Sequence, residues 1–399
     1  MNEPKGRASR ERLEDRIGRL AAALSGLLGG FDTALIVGRI NQYYLTGTMQ
    51  DGVFVLRSDG SYRFYVRKSY ERARLESPLD GIVKMSSYRD MLAGLPEDLG
   101  RTYVDTEVMP LAMLERIRKY LKPSAVLSLD RVLLGIRAVK DEDELALIEE
   151  SGRLHCDLLE RVIPSLLREG MSEAELAADV YSAMVKAGHH GVTRFSMFQM
   201  EILIGQIGFG ESSLYPTNFD GPGGMLGLHP AAPVLGSRER LLKRGDLVFA
   251  DIGYGFLGYH SDKTQVYCFG AEPPPRVIEV HEACRGVLRK ALGLIAPGAL
   301  ASEVYLGALA DLPSSLSKHF MGYGDSGVKF LGHGIGLQID EQPVIMASNE
   351  TPLCEGMVIA LEPKCGVEGI GMVGVEESYV IEESGPRCIT GGDRSIVRV

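Results

Sequence analysis

Apolar residues recur at helical spacing near the start of the chain, at Leu13, Ile17, Leu20, Leu24 and Leu28. That period predicts an amphipathic helix running to Gly29–Gly30. The apolar run Leu20–Phe31 has the look of a secretory leader. Glu11, Glu14 and Asp15 precede it, however, where a leader carries positive charge, so the segment reads as a helix. Thr33–Val37 is an apolar strand. Gly52–Leu56 and Tyr62–Val66 flank Ser58-Asp59-Gly60 and read as a hairpin, with further short strands at Val104 and Leu127–Leu129. Residues 1–137 therefore read as a small α/β domain.

From residue 138 to 399 the pattern changes. Asp141 with Glu144 forms a capping box ahead of a helix to about Leu167, and Ser172 with Glu175 caps a second helix to about Lys186. Gly245–Gly270 reads as two strands around a turn. The order then repeats: a helix over Pro275–Leu294, another after Pro297-Gly298, and two strands over Gly356–Ile381. Gly245 stands six residues before Asp251, as Gly356 does before Glu362. This is an α+β domain built from a duplicated helix–helix–hairpin unit.

The two hairpins carry the candidate chemistry. A turn at Phe256–Leu257 sets Asp251 opposite Asp262, and a turn at Gly369 sets Glu362 opposite Glu376. Like charges directly opposite on a sheet repel, and burying them in apolar strands requires a counter-charge. No Lys or Arg in either strand reads as placed to supply it, which points to a pair of divalent metal ions. His333, in Gly332-His-Gly-Ile-Gly336, adds an imidazole. Four carboxylates and one imidazole favour manganese, iron or cobalt over a thiolate zinc site.

Composition narrows the field further. Apolar residues make up 45% and charged residues 24%, as in a soluble globular protein. The formal net charge of −10 leaves no electrostatic footprint for nucleic acid or an anionic membrane. Six scattered cysteines without a C-x-x-C pair exclude a zinc ribbon and suggest a reduced, cytoplasmic protein. No apolar run reaches the roughly 18 residues of a membrane span. Gly369-Ile-Gly-Met-Val-Gly374 fits a dinucleotide fingerprint but leads into a strand, not a helix.

The segments Asp246–Gly270, Phe330–Pro343 and Gly356–Ile381 resemble the M24 metallopeptidase superfamily, which includes Xaa-Pro aminopeptidases, prolidases, methionine aminopeptidases and creatinase-like enzymes. Arg137–Gly152 is similar to that family's entry into its catalytic domain, and the first domain is similar, more loosely, to a creatinase-type N-terminal domain. The resemblance implies a pita-bread catalytic domain, a homodimer, and two divalent ions, with manganese first and cobalt, iron and zinc as alternatives. By position, Asp251 binds one ion, Asp262 and Glu376 bridge both, and His333 and Glu362 bind the other. A metal-bridging hydroxide is then the nucleophile, and Glu362 shuttles its proton.

Several positions depart from the family pattern. Seven residues after His333, where a second histidine is usual, stands Asp340, which offers no donor unless protonated. Gly374 and Gln265 stand where many prolidase-type members carry arginines. His229 stands where a substrate-side histidine is expected, 22 residues before Asp251 and slightly further away than usual. Asp340, His229, Gln265 and Gly374 are thus the candidate substrate positions, with Glu362, Asp340 and His229 as catalytic candidates. His189, His190, His260, Tyr254 and Tyr259 are further candidates for the cleft. The expected function is a dinuclear hydrolase of the Xaa-Pro aminopeptidase or dipeptidase type, on a peptide substrate. The alternative is a creatinase-like C–N hydrolase or lyase acting on a small molecule.

Overall fold

The computed structural model describes residues 6–197, 200–219, 221–392 and 394–399. It divides into two compact units between Arg137 and Ala138.

In the first unit, Ser9 caps the helix Arg10–Ser25 through its hydroxyl, 3.1 Å from the Arg12 amide. Leu13, Ile17, Leu20 and Leu24 are buried along one face, but Leu28 is 95% exposed because the helix ends at Gly26. Six strands form a mixed sheet in the order Ile82–Lys84, Tyr62–Val66, Gly52–Arg57, Thr33–Ile36, Asp98–Val104 and Lys122–Ser128. The expected hairpin is present, with Leu56 opposite Tyr62. A short helix, Arg39–Thr46, was not evident in the periodicity. Gly47 terminates it at φ 71°.

The second unit is the doubled structure. Both capping boxes form: the Glu144 amide lies 3.0 Å from Asp141 Oδ1, and the Glu175 amide 3.2 Å from Ser172 Oγ. The first of these starts the helix Glu142–Asp157, which passes through a π turn at Leu158–Val162 before ending at Leu166. The second starts Glu173–Lys186. Their counterparts in the second half are Pro275–Leu294 and Ala301–Leu309. One sheet runs Val397–Arg398, Tyr259–Cys268, Leu247–Phe256, Gly205–Phe209, and the other Glu341–Met346, Phe330–Gly334, Val358–Leu361, Glu377–Glu382, Gly385–Cys388. Apolar side chains such as Val248, Ile252, Tyr254 and Tyr267 pack the first half, and Leu331, Ile359, Leu361 and Tyr379 the second.

The first hairpin's register differs from expectation by two residues. Its turn is Leu257–Gly258, so Asp251 faces Thr264 and Asp262 faces Gly253. Both turn residues have positive φ, 47° and 103°, as the favoured two-residue hairpin turn requires, and Gly258 tolerates that geometry. A shift of two leaves every side chain on its original face. Asp251 and Asp262 therefore stay on one face but are not directly opposed.

The second hairpin keeps the expected register, with Leu361 opposite Glu377 and Lys364 opposite Gly374. It is not two continuous strands, however. It breaks at Glu362-Pro363 and at Val375-Glu376, and its outer part, Lys364–Val367 with Gly371–Gly374, forms a separate ribbon. The two hairpins meet where the Thr264 amide donates to the Glu376 carbonyl at 3.3 Å. The Ser378 hydroxyl reinforces this junction, accepting from the Asp262 amide at 2.9 Å and donating to the Asp262 carbonyl at 2.8 Å.

Candidate metal centre and substrate cavity

The junction gathers the five residues singled out by sequence. His333 Nε2 lies 3.5 Å from Glu362 Oε1, 3.8 Å from Glu376 Oε1 and 3.9 Å from Asp262 Oδ2. His333 Nδ1 is 3.2 Å from the Gly334 carbonyl, and Nε2 faces the three carboxylates. Asp262, His333 and Glu376 each offer a ligand atom, all within 4.8 Å of one another. Glu376 Oε1 is buried without a hydrogen-bond partner, an acceptor that a cation would satisfy. The donor set fits a hard or borderline divalent ion.

Asp251 sits on the other side of the cluster, and a lysine stands between. Lys364, fully buried, donates to Asp251 Oδ2 at 2.9 Å, Glu362 Oε2 at 2.9 Å and Glu376 Oε2 at 2.7 Å. The sequence reading found no cation within the strands, and here it was wrong. Lys364 lies two residues after Glu362, past the break at Pro363, so its side chain turns back into the cluster. Thr264 Oγ1 completes this side, 2.9 Å from both Asp251 Oδ1 and Glu376 Oε2.

Electrostatics divides the acids accordingly. Burial pushes Asp251 upward, but the Lys364 ammonium and hydrogen bonds outweigh it and hold its pKa below the ordinary carboxylate value. Asp262 lacks that contact, and burial together with Glu376 and Asp251 raises it well above the ordinary range. Glu376 is pushed up to about 8, chiefly by burial. Lys364 is held well above the usual lysine value, because Asp251, Glu362 and Glu376 overcome the cost of burying its charge.

A cavity of about 200 Å³ opens onto this centre, with Asp251, Asp262, His333 and Glu362 in its lining. Phe195, Phe219, Phe330, Ile339 and Val344 give it an apolar wall, and the Phe195 and Phe219 rings stack at 5.9 Å. Gly253, opposite Asp262, keeps the cavity open, since a Cβ there would lie 2.7 Å from Thr193 Cγ2 and 3.0 Å from Ile339 Cδ1.

Residues 146–383 match metallopeptidase family M24, and residues 16–139 match the creatinase/prolidase N-terminal domain. The chain belongs to metallopeptidase family M24. It is 27% identical over 376 residues to the Xaa-Pro dipeptidase of Pyrococcus horikoshii, covering 92% of this chain and 94% of that protein. It is 31% identical over 297 residues to the probable dipeptidase PepE of Mycobacterium tuberculosis, covering 74% of this chain and 69% of that protein. The crystal structure of dipeptidase PepE from Mycobacterium ulcerans superposes with a TM-score of 0.78 at 26% identity, covering 98% of this chain and 99% of that one. The doubled sheets are thus the M24 pita-bread fold, and the protein is a hydrolase by family.

The candidate positions outside the five-residue cluster fare unequally. Asp340 lines the cavity, and its carboxylate accepts from the Ser196 amide at 2.5 Å and the Ser196 hydroxyl at 2.9 Å. Burial raises its pKa above the ordinary value despite those bonds. His229 is not brought to the cavity. It is exposed in a tight turn, with its Nδ1 accepting from the Ala231 amide at 3.1 Å. Gln265 points elsewhere, donating to the Ser395 carbonyl at 2.7 Å. Gly374 faces the stem of Lys364 rather than substrate space, and a Cβ there would lie 2.5 Å from Lys364 Cα. His189, His190 and His260 pack on one another, with ring centroids 5.3 Å and 4.9 Å apart, and do not line the cavity. Tyr254 is buried, and the Tyr259 hydroxyl donates to Glu144 Oε1 at 2.9 Å. Sequence reasoning missed Ser196, Phe195 and Phe219, which come from loops with no periodic pattern to mark them.

Proposed function

We propose that this protein is a metal-dependent peptidase acting at Xaa-Pro bonds. The observation that supports the reading is the imidazole–carboxylate cluster of Asp262, His333 and Glu376, of which Asp262 and His333 line a cavity with an apolar wall. These three residues hold the divalent ion, with manganese favoured by a donor set of two carboxylates and one imidazole, and cobalt, iron or zinc as alternatives. When bound, such an ion supplies a Lewis acid and lowers the pKa of water. Glu362 lines the cavity beside them and takes the proton of the attacking water on Oε1. Phe195, Phe219 and Ile339 form a surface suited to a proline ring. Asp340, fixed by Ser196, attracts the substrate's cationic amino group.

Among the described residues, no lysine or arginine lines the cavity. A free substrate carboxylate therefore has no clamp there, and peptides longer than a dipeptide are preferred. Asp340 also favours a second reading, in which a small cationic amide is the substrate of a creatinase-like hydrolase.

The test is hydrolysis by the purified protein, reconstituted separately with manganese, cobalt, iron and zinc. The panel contains Xaa-Pro dipeptides, Xaa-Pro-Xaa tripeptides and small cationic amides. Cleavage of tripeptides ahead of dipeptides is expected. Cleavage of the amides alone selects the second reading, and inactivity on every peptide with every metal refutes the first.

A further inference from the structure

Lys364 presents an ammonium, and the three protons of an ammonium match three acceptors. It meets Asp251 Oδ2, Glu362 Oε2 and Glu376 Oε2 at 2.7–2.9 Å, all within charge-assisted hydrogen-bonding range. Glu362 and Glu376 each divide their oxygens in the same sense. Oε2 turns to the lysine, and Oε1 turns to His333 at 3.5 Å and 3.8 Å. The cluster therefore has two cation positions that share two carboxylates, and one of them is filled by a side chain of this chain.

The backbone is shaped for that side chain. Lys364 is the cross-strand partner of Gly374, whose φ is 138°. A Cβ at 374 would lie 2.4 Å from the Pro363 carbonyl oxygen and 3.0 Å from Lys364 Cγ, so any larger residue collides with the lysine's stem. The glycine at 374 and the lysine at 364 are thus one arrangement.

We propose that the Lys364 ammonium replaces one of two metal ions, so that this protein binds a single divalent ion, at Asp262, His333 and Glu376. Asp251 is then the lysine's counter-ion and not a metal ligand. The proposal rests on the reading that a divalent ion binds this centre at all.

The experiment measures metal content by elemental analysis after equilibrium dialysis against manganese or cobalt, for the wild type and for Lys364→Gly. One equivalent is expected in the wild type and two in Lys364→Gly, where removal of the ammonium frees Asp251 and the Oε2 atoms. The manganese-loaded wild type is expected to give the electron paramagnetic resonance signal of an isolated ion, without exchange coupling. Asp262→Asn should weaken manganese binding by more than about a hundredfold, and Asp251→Asn by less than about tenfold. Two equivalents or a coupled signal in the wild type overturns the proposal. So does one equivalent in both proteins, because the lysine would then be excluding nothing. Absence of metal from both proteins refutes instead the metal-dependent function. If Lys364→Gly does not fold, the wild-type stoichiometry, the resonance signal and the two aspartate variants still decide.

Discussion

Lys263 and Lys364 are both buried at the junction of the hairpins, yet they meet different amounts of charge. Lys263 Nζ pairs with Glu377 Oε1 at 2.5 Å, and Glu377 also accepts from the Thr390 hydroxyl at 2.6 Å and Arg394 Nε at 3.3 Å. Its negative charge is fully answered. One residue back along each strand, Asp262 and Glu376 point the other way, because side chains alternate on a strand. There, Lys364 faces four carboxylates with a single positive charge. A buried ion pair that is complete holds the fold together. One left in excess of negative charge holds a place for a cation. Asp340 shows a third solution, a carboxylate held by the neutral donors of Ser196.

The contrast is open to direct tests. Glu376→Ala has the largest expected effect, since it removes a carboxylate common to the lysine and to the candidate ion site. Metal affinity should fall by more than about a hundredfold, read by calorimetric titration, and peptide hydrolysis should be lost. Retention of both would show that Glu376 serves only to neutralise Lys364. Next comes Lys263→Ala, which removes the nearer of the two cations paired with Glu377 and leaves Arg394 Nε at 3.3 Å. A destabilisation of about 3 kcal/mol is expected in denaturant unfolding, with metal affinity preserved in the folded protein. A loss of metal without a loss of stability would erase the distinction between the two faces.

Asp340→His exchanges an acceptor for a group that can donate to a developing oxyanion, and is expected to raise activity on Xaa-Pro dipeptides by up to about a hundredfold. No gain in kcat/KM would show that the cavity is limited by something other than a missing donor. Ser378→Ala has the smallest expected effect. It removes two hydrogen bonds at the Asp262 backbone and should cost about 1–2 kcal/mol in unfolding, with a modest weakening of metal binding. An unchanged midpoint would mean that the Thr264–Glu376 contact alone sets the junction.

Much of the architecture follows from local signals. Asp141 with Glu144 and Ser172 with Glu175 announce their helices within four residues, because the capping bonds are themselves local. The duplicated order of helices and hairpins, and the set Asp251, Asp262, His333, Glu362 and Glu376, are legible for the same reason: acids embedded in apolar strands require compensation wherever the strands lie. The two-residue error in the first hairpin had a local origin too, since Gly258, rather than Phe256, marks the turn. It did no harm to the site because strand periodicity returned both aspartates to the same face.

What only the tertiary structure decided is the identity of the compensating cation and the shape of the cavity. Lys364 lies past the break at Glu362-Pro363, so strand alternation says nothing about where its side chain goes. Its direction depends on the space left by Gly374 across the ribbon and on the convergence of Asp251 from the other hairpin. His229, Gln265 and Gly374 were placed near substrate by sequence position, but position in a chain does not tell which way a turn or a strand face points, and each of them points elsewhere. Phe195, Ser196 and Phe219 enter the cavity from irregular segments. Periodicity determines which residues share a face. Which faces then meet, and how much charge each must answer, is set by contacts between segments more than a hundred residues apart, as between Asp251 and Lys364.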